Sequence, residues 1–197
     1  MIHLSSMAEL LRLFVSATND LEAGRAAIGK AIAQLPVQIG IEIRRTPASG
    51  ASFETIHELI ANVDRFYFLM GRDISAPAGV EWLLARKLQR SVLAMRNNSV
   101  PTPAAQEFVR AVPLEWTTFR SASDLVRIVT LDIVRILRHP TNRYGLNVTE
   151  LELLSTHAER VKKLPVNVAA ELGGAEGGGV LLDIGHREPL LGVVLDE

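Results

Sequence analysis

Five short apolar runs, separated by stretches of helical periodicity, constrain this chain more than any other feature of it. The runs are LLRLFVSAT (residues 10–18), VQIGIEIRR (37–45), RFYFLM (65–70), SVLAM (91–95) and LEWTTF (114–119). Continuous apolar runs of this length suit strands buried on both faces of a sheet. The second run is different. Val37, Ile39, Ile41 and Ile43 alternate with Gln38, Gly40, Glu42 and Arg44, so one face is polar and the strand belongs nearer an edge. Between the first two runs, Leu21, Ala27, Ile28, Ala31, Ile32 and Leu35 form a helical stripe, and Asn19 with Glu22 reads as a capping pair. FETIHELIANV is a second helix, with Ser52 as its N-cap. A third runs from about residue 78 to 90, AAQEFVRAV is a fourth, and SASDLVRIVTLDIVRILR is a fifth. In the fifth, Leu125, Ile128, Val129, Ile133, Val134, Ile136 and Leu137 face inward. Strict strand–helix alternation predicts an α/β, doubly wound, five-stranded parallel sheet of flavodoxin-like topology. Its ligand site then lies beyond the carboxyl ends of the strands, near the point where strand order reverses.

The character changes at RHPTNRYG (residues 138–145). We therefore expect a sheet domain over residues 1–138 and a small α+β extension over 139–197. The extension comprises a helix with Leu151, Leu154, Ala158 and Val161 as its stripe, a glycine-rich joint GGAEGGG, and two strand-like runs, VLLDI and PLLGVVL, forming a short β-hairpin. A chain this apolar beyond the joint calls for docking, either onto the sheet domain or onto another subunit.

Composition removes several function classes. The net charge is −1, so the basic surplus of nucleic-acid binders is absent. There is no cysteine, which excludes disulfides and thiolate chemistry. The five histidines are scattered without an i, i+4 pair, so no metal constellation is expected. No run approaches a membrane span, and the N-terminal stretch lacks the basic region and apolar core of a secretion signal, which implies a cytoplasmic protein.

One residue stands against its surroundings. In PAGVEWLLARKLQR, Glu81 shares a helical face with Val80, Leu84, Ala85 and Leu88, and the reading places it in the first helical turn. There a carboxylate gains about 0.3–1 kcal/mol from the helix dipole, which favours an ionised group. That stabilisation alone accounts for many first-turn glutamates.

Three stretches, taken together, resemble a known family: LFVSATNDLEAGR, VDRFYFLMGRD and GVEWLLARKLQRSVLAM. Their order and spacing are similar to those of bacterial TIR-like domains of unknown function, whose layout is shared with TIR NAD hydrolases and nucleoside 2-deoxyribosyltransferases. The resemblance spans residues 10–138. It implies a nucleotide glycosidase that cleaves NAD or a related nucleotide at its N-glycosidic bond, as an effector in antiphage defence. NAD would be substrate rather than cofactor, and the site would often be completed by a neighbouring subunit in a homo-oligomer. By the same resemblance, Glu81 is the catalytic carboxylate. Ser16, Thr18, Asn19, Arg25, Arg72 and Ser75 line the ribose and phosphate path, and Phe53 either stacks on a base or anchors the core. Arg72 has two candidate partners, a pyrophosphate or Glu81 itself. The sequence departs from the family pattern at Arg72-Asp73-Ile74 and at Trp82, which follows the glutamate instead of preceding it. A non-catalytic nucleotide-signal or protein-interaction module and a nucleoside 2-deoxyribosyltransferase are the alternatives.

Overall fold

The structure is a computed structural model that describes residues 9–164. Five strands alternate with helices: β1 (Leu11–Ala17), α1 (Glu22–Ala33), β2 (Ile41–Arg44), α2 (Phe53–Ala61), β3 (Arg65–Met70), α3 (Ala76–Lys87), β4 (Val92–Asn97), α4 (Pro103–Ala111), β5 (Trp116–Phe119) and α5 (Ala122–Leu137). A further helix, α6 (Val148–Lys163), follows. All strand pairings are parallel and the order is β2-β1-β3-β4-β5. This is the doubly wound, flavodoxin-like sheet expected from the alternation, with its switch point between β1 and β3.

The side-chain alternation of β1 divides the molecule into two cores. Leu13, Val15 and Ala17 face α1, α5 and α6, where Ile28, Val129, Ile133 and Leu154 join them. Phe14 faces α2 and α3 and packs with Phe66, Phe68, Ile60, Trp82 and Ala85. On this second face the register carries Ser16, Phe68, Ala94 and Trp116 in one row across four strands. Phe14 and Phe66 stack at 5.2 Å, and Phe68 meets Trp82 at 5.9 Å and Trp116 at 5.7 Å. Trp82, which departs from the family pattern, is thus a core residue.

The central strand RFYFLM coincides with its expected limits, because burial on both faces leaves no polar position to blur them. β2 is an edge strand, as its alternation implies, but only Ile41–Arg44 pair. Pairing starts at Leu11 with Ile41, and a Cβ on Gly40 would meet the tip of the Leu10 side chain, which would have to turn aside. Val37 and Ile39 instead lie against the α1/α5 core outside the strand. Ser52 caps α2 as expected, its hydroxyl accepting from the Thr55 N–H at 3.2 Å. The Asn19–Glu22 capping pair does not form: residues Asn19–Leu21 make a 3-10 turn, and α1 starts without a side-chain cap.

α6 opens with a reciprocal capping box between Asn147 and Glu150 and buries Leu154, Ala158 and Val161 of the expected stripe, while Leu151 is only partly buried. Tyr144 and Leu146, in the connection from α5, complete that contact. The strand-like runs VLLDI and PLLGVVL lie outside the described residues. No helix among the described residues is long and apolar enough to cross a membrane.

Candidate functional site

The site residues expected from the sequence fall into two groups at the carboxyl end of the sheet. Thr18, Asn19, Arg72 and Ser75, with Asp20, Asp73, Ile74 and Thr102, line a cleft of about 400 Å³ at the β1/β3 switch point. Glu81, Ser16 and Arg25 lie apart from it, toward β2. Phe53 belongs to neither: at 55% exposure it anchors no core, although it opens the helix that buries Ile56 and Ile60.

The cleft is built by a tie between two loops. The Thr18 hydroxyl accepts from the Gly71 N–H at 2.9 Å and donates to Asp20 at 2.6 Å; the second oxygen of Asp20 accepts from the Arg72 N–H at 2.8 Å. Gly71 is required here, since a Cβ would collide with the Asp20 carboxylate. Burial acts against the Asp20 charge. The Thr18 hydroxyl, the Arg72 N–H and the Arg72 guanidinium outweigh it and hold the carboxyl below its ordinary pKa. Thr18 is therefore no helix cap, and Arg72 stands by Asp20 rather than by Glu81. Opposite, Asp73 accepts from the Thr102 hydroxyl at 2.6 Å, and the Ser75 hydroxyl leaves α3 uncapped. Thr18→Val keeps the side-chain shape but strands the Gly71 N–H. It is expected to cost about 1–3 kcal/mol, visible as a lowered midpoint in thermal unfolding; an unchanged midpoint would show that the loop tie contributes nothing.

The second group surrounds Glu81, which is 3% exposed. Helix α3 begins at Ala76, with Pro77 in its first turn, so Glu81 stands in the second turn and not the first. Its buried residues are Ala78, Glu81, Trp82, Leu84 and Ala85, while Val80 turns outward. The dipole argument for an ionised group is correspondingly weaker. Burial raises the Glu81 pKa above its ordinary value, and the Ser16 and Thr46 hydroxyls and the Arg25 charge pull it back only part of the way. Thr46, two residues beyond β2, donates a hydrogen bond to Glu81 Oε1. Ser16 Oγ is close enough to favour the carboxylate, yet it makes no hydrogen bond of normal geometry and is fully buried without another partner. Arg25 pairs with Glu22 and reaches the Ala17 carbonyl at 3.5 Å, but its Nε is buried and unpartnered.

Unpartnered buried donors around a carboxyl of raised pKa are a pattern that functional sites share with structural polar networks. The sign of the stability effect follows. A carboxyl with a raised folded pKa binds its proton more tightly in the folded state, so stability falls as pH rises from the unfolded value toward the folded one. Glu81→Gln, which mimics the protonated form and still accepts from Thr46, is expected to melt above the native protein at pH 8. A gain of about 0.5–2 kcal/mol is usual for relieving such sites. The difference should close near pH 4, where both carboxyl states are protonated. A variant that melts lower at pH 8 would mean that the Glu81 charge stabilises the fold.

Thr46, Asp20, Asp73 and Thr102 escaped the sequence reading. Asp20 stood within a quoted motif; Thr46 stood in a Pro/Gly/Ser loop, where spacing carries no periodic signal. Among the described residues no group of three or more histidine or acidic side chains is placed to hold a metal ion. The fold is one that nucleotide-binding enzymes commonly use. Compared with known families and curated proteins, the chain matches no family model and no curated sequence.

Proposed function

We propose that the chain is a TIR-like nucleotide glycosidase, with NAD or a related nucleotide as substrate and Glu81 as the carboxylate that faces the anomeric carbon. The observation that carries this reading is the burial of Glu81 beside Ser16, Thr46 and Arg25 at the carboxyl end of the sheet. Cleavage of an N-glycosidic bond sends the bonding electrons to the departing base and leaves positive charge on the ribose. A desolvated carboxylate stabilises that charge or bonds to it, and water then completes the hydrolysis. A ribose hydroxyl would replace the Thr46 hydroxyl as donor to Glu81. The switch-point cleft would take the phosphates, with Arg72 as cation and Thr18, Asn19 and Ser75 along its wall. The acid limb of the pH–rate profile would sit above the ordinary glutamate range, because the ionised form is required and burial delays it.

A non-catalytic nucleotide-binding module is the second reading, favoured by the closure of Glu81 under Thr46. Incubation of the purified chain with NAD, and separately with deoxynucleosides, separates the readings by chromatography of the products. Free nicotinamide supports the glycosidase, base exchange points to a deoxyribosyltransferase, and binding without turnover points to the module.

The division into a sheet domain over 1–138 and an extension over 139–197 belongs to the same proposal, with the extension serving assembly. Shortening the chain after Leu164 removes VLLDI and PLLGVVL and is expected to lower the mass in solution measured by light scattering. Equal numbers of subunits in both forms would rule out the assembly role.

A further inference from the structure

Three loops are stitched together around the switch-point cleft. The Thr18–Gly71 and Asp20–Arg72 hydrogen bonds join the loop after β1 to the loop after β3. The Thr102 N–H donates to the Arg72 carbonyl at 2.8 Å and so joins the loop after β4 to the same wall. The Thr102 hydroxyl accepts from the Ala105 N–H at 3.2 Å, which leaves its proton for Asp73 Oδ1. That oxygen also accepts from the Ile74 N–H at 2.8 Å. Two donors on one oxygen fix the carboxylate and leave its other oxygen open: among the described residues, Asp73 Oδ2 accepts no hydrogen bond.

Arg72 is placed in a complementary way. Its backbone holds both walls, while its guanidinium is exposed and makes no ion pair among the described residues. Asp73 and Arg72 line one cavity of about 400 Å³, together with the Asn19 amide and the Ser75 hydroxyl, which caps nothing. The charges decide what this cavity suits. Asp20 and Asp73 outnumber Arg72, so a bare phosphate meets repulsion as well as attraction. A ligand that fits brings an anionic group to Arg72 and hydroxyl donors to Asp73. Ile74 is the one apolar side chain among the described lining residues and none is aromatic, so nothing there stacks on a base.

We propose that the cleft binds the sugar–phosphate part of a ribonucleotide, with Asp73 selecting ribose over 2-deoxyribose. Arg72 engages the phosphate oxygens, and Asp73 Oδ2 accepts from the 2-hydroxyl of the sugar, a use to which α/β sheets put carboxylates elsewhere. The assignment rests on the reading of the cleft as the nucleotide site; it requires no bond cleavage at Glu81.

Ribose 5-phosphate and 2-deoxyribose 5-phosphate carry no base and no N-glycosidic bond, so they probe the cleft alone. Isothermal titration calorimetry of the full chain should show ribose 5-phosphate binding about tenfold more tightly, as one hydrogen bond to a charged acceptor supplies. Asp73→Asn keeps an oxygen for the Ile74 N–H and the Thr102 hydroxyl but turns an amide donor toward the sugar. It should weaken ribose 5-phosphate to the level of the deoxy sugar and leave the deoxy sugar and the melting temperature unchanged. Arg72→Met should weaken both sugars alike, and Glu81→Gln neither. Equal affinities in the native protein, binding of neither sugar, or a preference that survives Asp73→Asn would overturn the proposal. So would displacement of the sugar phosphate by equimolar glycine, which marks a site for a zwitterion. Should Asp73→Asn disturb folding, arabinose 5-phosphate, the 2-epimer, replaces it with native protein: it should bind no better than the deoxy sugar, and affinity equal to that of ribose 5-phosphate overturns the assignment. Discrimination by a chain that releases no nicotinamide from NAD would remove the glycosidase and keep this site; turnover of NAD without discrimination would do the reverse.

Discussion

Glu81→Gln is expected to abolish release of nicotinamide from NAD while leaving the fold intact. The substitution preserves side-chain volume in a site that is 3% exposed, and the amide oxygen still accepts from Thr46. What it removes is the negative charge that the proposed mechanism sets against the reacting sugar. In a desolvated site that charge acts with little screening. A loss of about 3 kcal/mol of transition-state stabilisation is already more than a hundredfold in rate. The melting behaviour at pH 8 provides the necessary contrast: the same variant should be as stable as the native protein or more so. Lost turnover in a destabilised protein would speak only of damage, whereas lost turnover in a stabilised one assigns the carboxylate to chemistry. Native-like turnover would remove Glu81 from the mechanism altogether.

The sheet was legible because its signals were redundant. RFYFLM is apolar throughout and buried throughout, and the helical stripe of α5 returns as Leu125, Val129, Ile133 and Val134 in the core. The edges were less legible. In β2 only four residues pair, because the alternation of Val37 and Ile39 continues past the point where Leu10 and Gly40 meet. The surroundings of Glu81 were legible by type and misplaced by geometry. Glu81 announced itself as a carboxylate among apolar neighbours. Starting the helix after Pro77 instead of before it put Glu81 in the wrong turn, and so replaced a buried carboxyl of raised pKa with a dipole-stabilised anion. Thr18 lies just before a helix, but its hydroxyl is spent on Asp20 and on Gly71, which is 53 residues away in sequence. Such long-range ties leave no periodic trace.

Asp132→Ala should produce the largest loss of stability. Asp132 on α5 receives Arg65 Nε at 2.9 Å and Nη2 at 2.6 Å, a bidentate pair, and the Tyr67 hydroxyl donates to it at 3.0 Å. The side chains of Arg65 and Asp132 are 14% and 9% exposed, and Tyr67 is fully buried. Burial first, then the Asp132 charge, holds the phenol well above its ordinary pKa, so it stays a donor at every physiological pH. Removing the carboxylate leaves a largely desolvated guanidinium with only the Ser91 hydroxyl, at 2.6 Å, and a buried phenol with nothing. Breaking such a pair from one side costs about 3–5 kcal/mol. At about 2–4 °C per kcal/mol for a chain of this size, the midpoint should fall by roughly 6–20 °C. Tyr67→Phe should lose only about 1 kcal/mol, since the ring stays, the donor is removed and the Asp132 oxygen it served still accepts from Arg65 Nε. The instructive comparison is the triple variant Arg65→Met, Tyr67→Phe and Asp132→Leu, which leaves no stranded phenol. It removes both charges and refills the space, and should recover most of what Asp132→Ala loses, because a buried ion pair is expensive to break and cheap to replace. If Asp132→Ala melts within a degree or two of the native protein, α5 is held to β3 by the apolar contacts of Tyr67, Val129 and Ile133 alone, and the ion pair serves only to set where the helix lies.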